Sequence, residues 1–576
     1  MVTMRKLLIY LKDYKKESIL GPLFKLLEAS FELMVPLVMA AVIDTGIASH
    51  NQGYIVKMCL VMIGLGIVGL ISSITAQYFA AKAAVGFSTQ LRSALFRHIQ
   101  SFSYSELDEI GTSTLVARMT NDVNLVQNGV NMVLRLFLRS PFIVFGAMIM
   151  AFTIDVKSAM IFVVTIPVLT VIVLGIMLIS IPLYKKVQER LDRVLGITRE
   201  NLKGVRVVRA FHKEEDEIQT FNSENGILTR LQMFVGRISG LMNPLTYVII
   251  NISIVVLLNQ GSVQVNDGVI SQGALIALIN YMSQILVELV KFANLIITVT
   301  KAIACGNRIQ SVLEKESSME FCDNTLRKAK DGGVEFDHVS LTYANAQAES
   351  LSDIHFTVKK GETVGIIGGT GSGKTSLVHL IPRFYDATSG SVRIDGVDVK
   401  EYSKSDLRER IGIVMQKAVL FRGTIADNLR WGNESATKEQ MWDALDLAMA
   451  KEFVEKKDEG LNFVVEQEGK NLSGGQKQRL TIARAIMKQP EILILDDSSS
   501  ALDYATDAAL RQSIRNLDYQ PTVFIVSQRT SSIQHANKII VLDDGVMVGF
   551  GTHEELLRGC EVYQEIYYSQ FPKEEQ

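Results

Sequence analysis

The stretch G-G-T-G-S-G-K-T at Gly368–Thr375 combines glycines, one lysine and hydroxyl side chains in a spacing suited to phosphate. Glycines let successive backbone N–H groups close around phosphate oxygens. Lys374 is placed to reach the β- and γ-phosphates of a nucleotide, and the Thr375 hydroxyl to ligate Mg²⁺. Gly368, Gly369, Thr370, Gly371, Ser372, Gly373, Lys374, Thr375 and Ser376 thus form one candidate phosphate site. Downstream, the apolar run I-L-I-L-D-D at Ile492–Asp497 ends in two carboxylates. The first, Asp496, sits where a strand-end carboxylate can hold a Mg²⁺-bound water. Between these pieces lies L-S-G-G-Q-K-Q-R at Leu472–Arg479. No G-x-G-x-x-G follows a strand, so a dinucleotide site is not supported.

These residues need a rigid frame. The apolar run Thr363–Ile367 predicts a strand before the glycine loop, and a helix is predicted from Lys374, whose N-terminal dipole favours phosphate. The first 300 or so residues have a different character. Hydrophobic residues make up 48% of the chain and the mean hydropathy is +0.21, which points to a membrane. A net charge of −2 argues against a nucleic-acid binder. Cys59, Cys305, Cys322 and Cys560 are scattered and suggest neither a disulfide framework nor a zinc site. Six stretches are long enough to cross a hydrocarbon core of about 30 Å. They lie near Ile19–Ile43, Ile55–Phe79, Arg135–Ile154, Ser158–Ile181, Leu241–Leu258 and Ala274–Thr298. Asp44–Tyr54 and Asn259–Gln272 contain no Lys or Arg, whereas Ala80–Leu134 and Pro182–Gly240 are rich in both. Basic loops stay in the cytoplasm. The expectation is a multi-pass protein of the cell membrane with both termini cytoplasmic.

The phosphate loop, L-S-G-G-Q and the strand carboxylates, in this order, resemble the ATP-binding cassette (ABC) ATPases over residues from about 333 to 570. Six spans fused to one such ATPase resemble an ABC exporter half-transporter of multidrug type. Gly111–Val123 and Glu200–Phe211 resemble its two coupling segments. The resemblance implies an N-terminal all-α transmembrane domain of six helices over 1–311, a linker over 312–332, and a C-terminal α/β P-loop ATPase over 333–576. It implies ATP and Mg²⁺ as ligands. Tyr343 resembles the aromatic that stacks on adenine, although an aromatic at a strand end is often packing. Gln416 resembles the glutamine that senses Mg²⁺, joining Thr375 and Asp496 around the ion. Asp503 belongs to the loop crossing between two ATPases. Ser473, Gly474, Gly475 and Gln476 resemble the signature that binds the γ-phosphate of ATP held by a second ATPase, so the active unit needs two chains.

The chain departs from that family at three positions. Asp497 stands where a Glu orients the attacking water. Gln528, in V-S-Q-R, stands where a His contacts the γ-phosphate, and Gln467 where exporters commonly have Glu. Aspartate is one methylene shorter, and a displacement of about 1 Å in a positioning group costs on the order of 100-fold in rate. A homodimer would hold two impaired sites. The expectation is therefore a heterodimer with a different ABC half that carries intact Glu and His, where fast hydrolysis occurs. The expected cargo is small amphipathic compounds or lipids, with no nucleic-acid partner. A homodimeric lipid flippase and an ATP-gated channel or sensor are the competing readings.

In the sixth span Asn280, Gln284, Glu288, Lys291, Asn294 and Thr298 form one helical stripe, and Lys25, Glu28 and Glu32 are similarly spaced in the first. Two readings stand: a wet translocation cavity, or an inter-helix network in which Glu288 and Lys291 pair for packing.

Overall fold

The computed structural model describes residues 6–322, 333–344 and 346–571. The expected linker at 312–332 therefore falls, for residues 323–332, outside the described residues. The chain forms two compact units. The first comprises 1–100 and 113–315, and the second 101–112 and 316–576.

The first unit is helical. Its main elements are α1 (Lys15–Ala41), α2 (Gln52–Ser101), α3 (Val123–Leu136), α4 (Arg139–Ile154), α5 (Val156–Ala210), α6 (Glu214–Gly240), α7 (Met242–Asn266) and α8 (Gln272–Leu313). Among the described residues, six helical stretches are long and apolar enough to cross a membrane, and each of the six expected spans falls within one of them. At 1.5 Å per residue, the 50 residues of α2 and the 55 of α5 extend well beyond a bilayer core. Large apolar side chains such as Leu60, Ile63 and Val171 face outward, as lipid contact requires. The interior is built from α1, α4, α5, α7 and α8, with Phe162, Leu169, Leu257, Tyr281 and Ile285 fully buried. With no hydrophobic drive between helices in lipid, small residues let the backbones approach. Gly146 on α4 is such a position, since a Cβ there would come within 2.5 Å of Leu33 Cδ1 on α1.

The second unit contains β1 (Val334–Leu341), β2 (Leu351–Val358), β3 (Thr363–Gly368), β4 (Ser389–Ile394), β5 (Val397–Asp398), β6 (Ile411–Val414), β7 (Gly423–Thr424), β8 (Val464–Val465), β9 (Ile492–Asp496), β10 (Thr522–Val526), β11 (Lys538–Asp543) and β12 (Val546–Gly551). Ten of these form one sheet in the order β5-β4-β1-β2-β12-β11-β3-β10-β9-β6. The segment β11-β3-β10-β9-β6 is parallel, and its strands read as continuous apolar runs because both faces are covered. β1, β2, β4 and β5 pair antiparallel. The helices that position the site are α9 (Lys374–Leu380), α10 (Gly474–Met487), α11 (Tyr504–Arg515) and α12 (Glu561–Gln570).

Residues 101–112 belong to this second unit. They form the short helix Tyr104–Ile110, started by a capping box between Ser103 and Glu106. Tyr104 packs on Phe384 with ring centroids 4.6 Å apart, and the Tyr385 hydroxyl donates to Asp108 at 2.6 Å.

Candidate nucleotide site

Parallel register brings the site together. Val526 of β10 lies opposite Ile366 of β3 on one side and Asp496 of β9 on the other. The glycine loop, the carboxylate pair and the Gln528 loop therefore leave adjacent strands at their carboxyl ends, where open α/β sheets bind ligands. Thr370, Gly371, Gly373, Lys374, Thr375, Ser376, Gln416, Asp496, Asp497, Ser527 and Gln528 line one pocket of about 630 Å³.

Gly373 caps α9 in the left-handed region (φ 90°), and a Cβ there would meet the Ser350 carbonyl at 2.7 Å, so only glycine fits. Lys374 lies across the loop and donates to the carbonyl of Gly368 at 2.9 Å and to that of Gly369. Burial pushes its ammonium pKa down, against the pull of Asp497 and Asp496. Thr375 Oγ1 donates to Asp496 Oδ1 at 3.0 Å. Asp496 is 1% exposed, and burial with the neighbouring Asp497 charge pushes its carboxyl up to about 6. A buried carboxylate beside a hydroxyl is a donor set that suits a hard divalent cation.

Asp497 adopts a left-handed backbone (φ 45°), which Asp tolerates better than most residues. Its N–H donates to the Val526 carbonyl at 3.1 Å, and its Oδ2 accepts from Gln416 Nε2 at 3.4 Å. Burial raises the Asp497 pKa. The exposed Gln528 side chain lines the same pocket, while its carbonyl accepts from Gln570 Nε2 of α12 at 2.8 Å. Gln570 Oε1 also accepts from the Thr530 N–H and hydroxyl, each at 2.9 Å.

Other expected residues lie elsewhere. Tyr343 is not among the pocket residues. Its hydroxyl donates to Ser376 at 2.9 Å and its ring stands edge-on to Tyr385. Ser473 caps α10 in a box with Gln476, and Gly474 and Gly475 form its first turn. None of the four lines the pocket around Lys374. Asp503 caps α11, accepting from the Thr506 N–H at 2.9 Å. Gln467 is exposed in a short 3-10 turn.

Three contributors escaped the sequence reading. The Ala346–Ser350 loop and the turn at Asp544–Gly545 complete the pocket, and His379 Nε2 lies 3.9 Å from Asp496 Oδ2. The turn was signalled by D-D-G after an apolar strand, and His379 by its place on the helix behind Lys374.

The sequence matches the family described as "ABC transporter transmembrane region" over residues 18–289 and that described as "ABC transporter" over 351–500. It is 37% identical over 571 residues to the uncharacterized ABC transporter ATP-binding protein YfiB of Bacillus subtilis, covering 99% of each chain. The chain belongs to the ABC transporter family. Another B. subtilis relative, a putative multidrug export ATP-binding/permease protein, YgaD, is 31% identical over 98% of this chain and 99% of its own. The fold matches a bacterial Atm1-family ABC exporter solved with ATP bound, at a TM-score of 0.80 and 21% identity, covering 98% and 99% of the two chains. This ABC exporter half-transporter carries its membrane domain and ATPase on one chain, and ATP hydrolysis drives its transport across a membrane.

In the transmembrane unit the polar stripe meets a partner the sequence reading missed. Arg139 of α4, 6% exposed, donates to Glu288 of α8 at 2.5 Å and to Glu32 of α1 at 2.6 Å. Glu288, 2% exposed, also accepts from Ser140 at 2.9 Å and Lys291 at 2.9 Å. Lys25 donates to Glu28 and to Ser73. Glu288 is thus the hub of a buried inter-helix network. Arg139, inside the third apolar run and four residues after Arg135 at its start, was the available signal.

Proposed function

We propose that this chain is the impaired-site half of a heterodimeric exporter that moves small amphipathic compounds out across the cell membrane, with both termini cytoplasmic. Asp497 and Gln528 carry this reading, because both line the pocket where the γ-phosphate of ATP would lie. The short Asp497 side chain is drawn toward Gln416, and Gln528 lacks an imidazole to charge or to relay a proton. Lys374 and the loop N–H groups hold the phosphates. Thr375, Asp496 and Gln416 hold Mg²⁺, which offsets phosphate charge when bound.

The position of Ser473, Gly474, Gly475 and Gln476 outside the pocket supports a head-to-tail pairing in which the start of α10 serves a partner's ATP. That partner carries Glu and His at the positions of Asp497 and Gln528, and hydrolyses ATP fast. The multidrug name of the relative YgaD supports the substrate class. The competing homodimer, whether a lipid flippase or an ATP-gated channel, would need turnover or gating from two such sites.

Purified alone and in lipid, the chain is expected to bind Mg·ATP and hydrolyse it very slowly. Brisk cooperative turnover, with no second ABC chain detectable by mass spectrometry, would refute the impaired-site reading.

A further inference from the structure

The hairpin of β1 and β2 carries two bulges. Phe336 pairs with Phe356 and Val339 with Ile354, so Asp337 and His338 together stand opposite His355 alone. One step on, Ser352 and Asp353 stand opposite Ser340, because Leu341 pairs with Leu351. The second bulge returns the register that the first displaced. Each is built on a non-glycine residue in the left-handed region, His338 at φ 48° and Asp353 at φ 51°. Such backbone is uncommon and marks a bulge that re-aims a side chain.

The consequence is chemical. In an unbulged strand Asp337 and His338 would point to opposite faces. Here Phe336 and Val339 are buried, while Asp337, His338, Asp353 and His355 all reach solvent. One donor atom from each of Asp337, His338 and His355 lies within 4.8 Å of the other two. The imidazoles stack with centroids 4.9 Å apart and planes 15° apart. Asp353 Oδ1 contacts His338 Nδ1 at 2.6 Å, the carboxylate–imidazole pairing that orients a metal-binding histidine through its other nitrogen. Arg393 holds Asp337 Oδ2 at 3.3 Å, and Asp337 Oδ1 faces His355 Nδ1 at 3.9 Å.

The geometry points to a site for a first-row divalent transition metal on the outer face of this hairpin, ligated by Asp337, His338 and His355 and oriented by Asp353. Two imidazoles and one carboxylate suit Zn²⁺ and its neighbours rather than Mg²⁺, which prefers all-oxygen shells. Donors around tetrahedral Zn²⁺ at about 2.0–2.1 Å lie about 3.3 Å apart. Rotation of exposed side chains closes that difference. The fourth position is open to water. The ion would tie together two strands whose connecting loop supplies Ala346–Ser350 to the nucleotide pocket.

The test uses the full chain in detergent micelles, purified through a tag without histidine and free of nucleotide, in equilibrium dialysis against Zn²⁺. Wild type should retain one equivalent more than His338→Ala/His355→Ala, and excess Mg²⁺ should leave it bound. Asp353→Asn should weaken zinc by roughly 10- to 100-fold. Mg·ATP binding by each variant checks its fold, and Asp353→Asn keeps the test decisive if the double variant fails that check. Equal zinc in wild type and in either variant, or displacement of zinc by Mg²⁺, would overturn the assignment.

Discussion

Replacing Glu288 with glutamine keeps the side-chain volume and removes one charge at the hub of the transmembrane network. Arg139, 6% exposed, would then keep Glu32 at 2.6 Å and a distant Glu28 at 4.0 Å, while its least exposed partner would become a neutral amide that offers an acceptor but no charge. Leaving a buried charge without its partner costs about 3–5 kcal/mol in soluble proteins. Two features reduce that figure here. Glu32 continues to neutralise Arg139, and polar contacts between membrane helices average below about 1 kcal/mol. We expect about 2 kcal/mol for Glu288→Gln, and at about 1–2 °C per kcal/mol for a unit of about 300 residues a drop in the melting midpoint of about 2–4 °C. The assay is a thermal melt of the full chain in lipid nanodiscs, read beside transport of cationic and neutral compounds. All substrates should be affected alike. The double change Arg139→Met with Glu288→Leu should recover much of the loss, because well-packed apolar pairs often replace buried ion pairs without cost. A wild-type melting midpoint combined with a selective loss of cation transport would refute this argument and make Glu288 a cavity residue.

Other outcomes follow from the nucleotide site. In the isolated chain, Asp497→Glu together with Gln528→His should raise steady-state ATPase by on the order of 100-fold, since the longer carboxylate regains its reach; an unchanged rate would move the defect elsewhere. Gln570→Ala should free the Gln528 carbonyl and the buried Thr530 N–H from α12. A loss of about 1 kcal/mol in ATPase-domain stability is expected, and a calorimetric scan that shows none would mean that water replaces the clamp without cost.

The sequence was most legible where local pattern and tertiary role coincide. The run Thr363–Thr375 announces strand, loop and helix by residue type alone, and β3, the glycine loop and α9 follow it. Asp496 at the end of an apolar run marks the carboxyl edge of a parallel sheet for the same reason. The six spans were legible because bilayer thickness sets a length that few other constraints imitate. Contacts between distant segments were not. The pairing of Arg139 with Glu288 joins residues 149 apart and depends on how α4 and α8 are rotated, which periodicity leaves open. Tyr343 illustrates the opposite case, for its strand-end position fits both adenine stacking and the contacts with Ser376 and Tyr385 that it makes. The short helix Tyr104–Ile110 lies ahead of the segment at Gly111–Val123 that resembled a coupling element. Its capping box, S-x-x-E at Ser103–Glu106, was in the sequence, but without the rings of Phe384 and Tyr385 nothing tied it to the second unit.

The central claim is asymmetry between two ATP sites, and one comparison tests it most directly. Ser473 caps α10 away from the pocket of its own chain, so under the proposed pairing it would serve the partner's fast site. Asp497 lines its own chain's pocket, which the proposed pairing makes the slow site. Steady-state ATPase of the heterodimer should therefore collapse in Ser473→Ala and change little in Asp497→Asn. Equal loss in the two variants would contradict the account, because it would make Asp497 a working catalytic carboxylate.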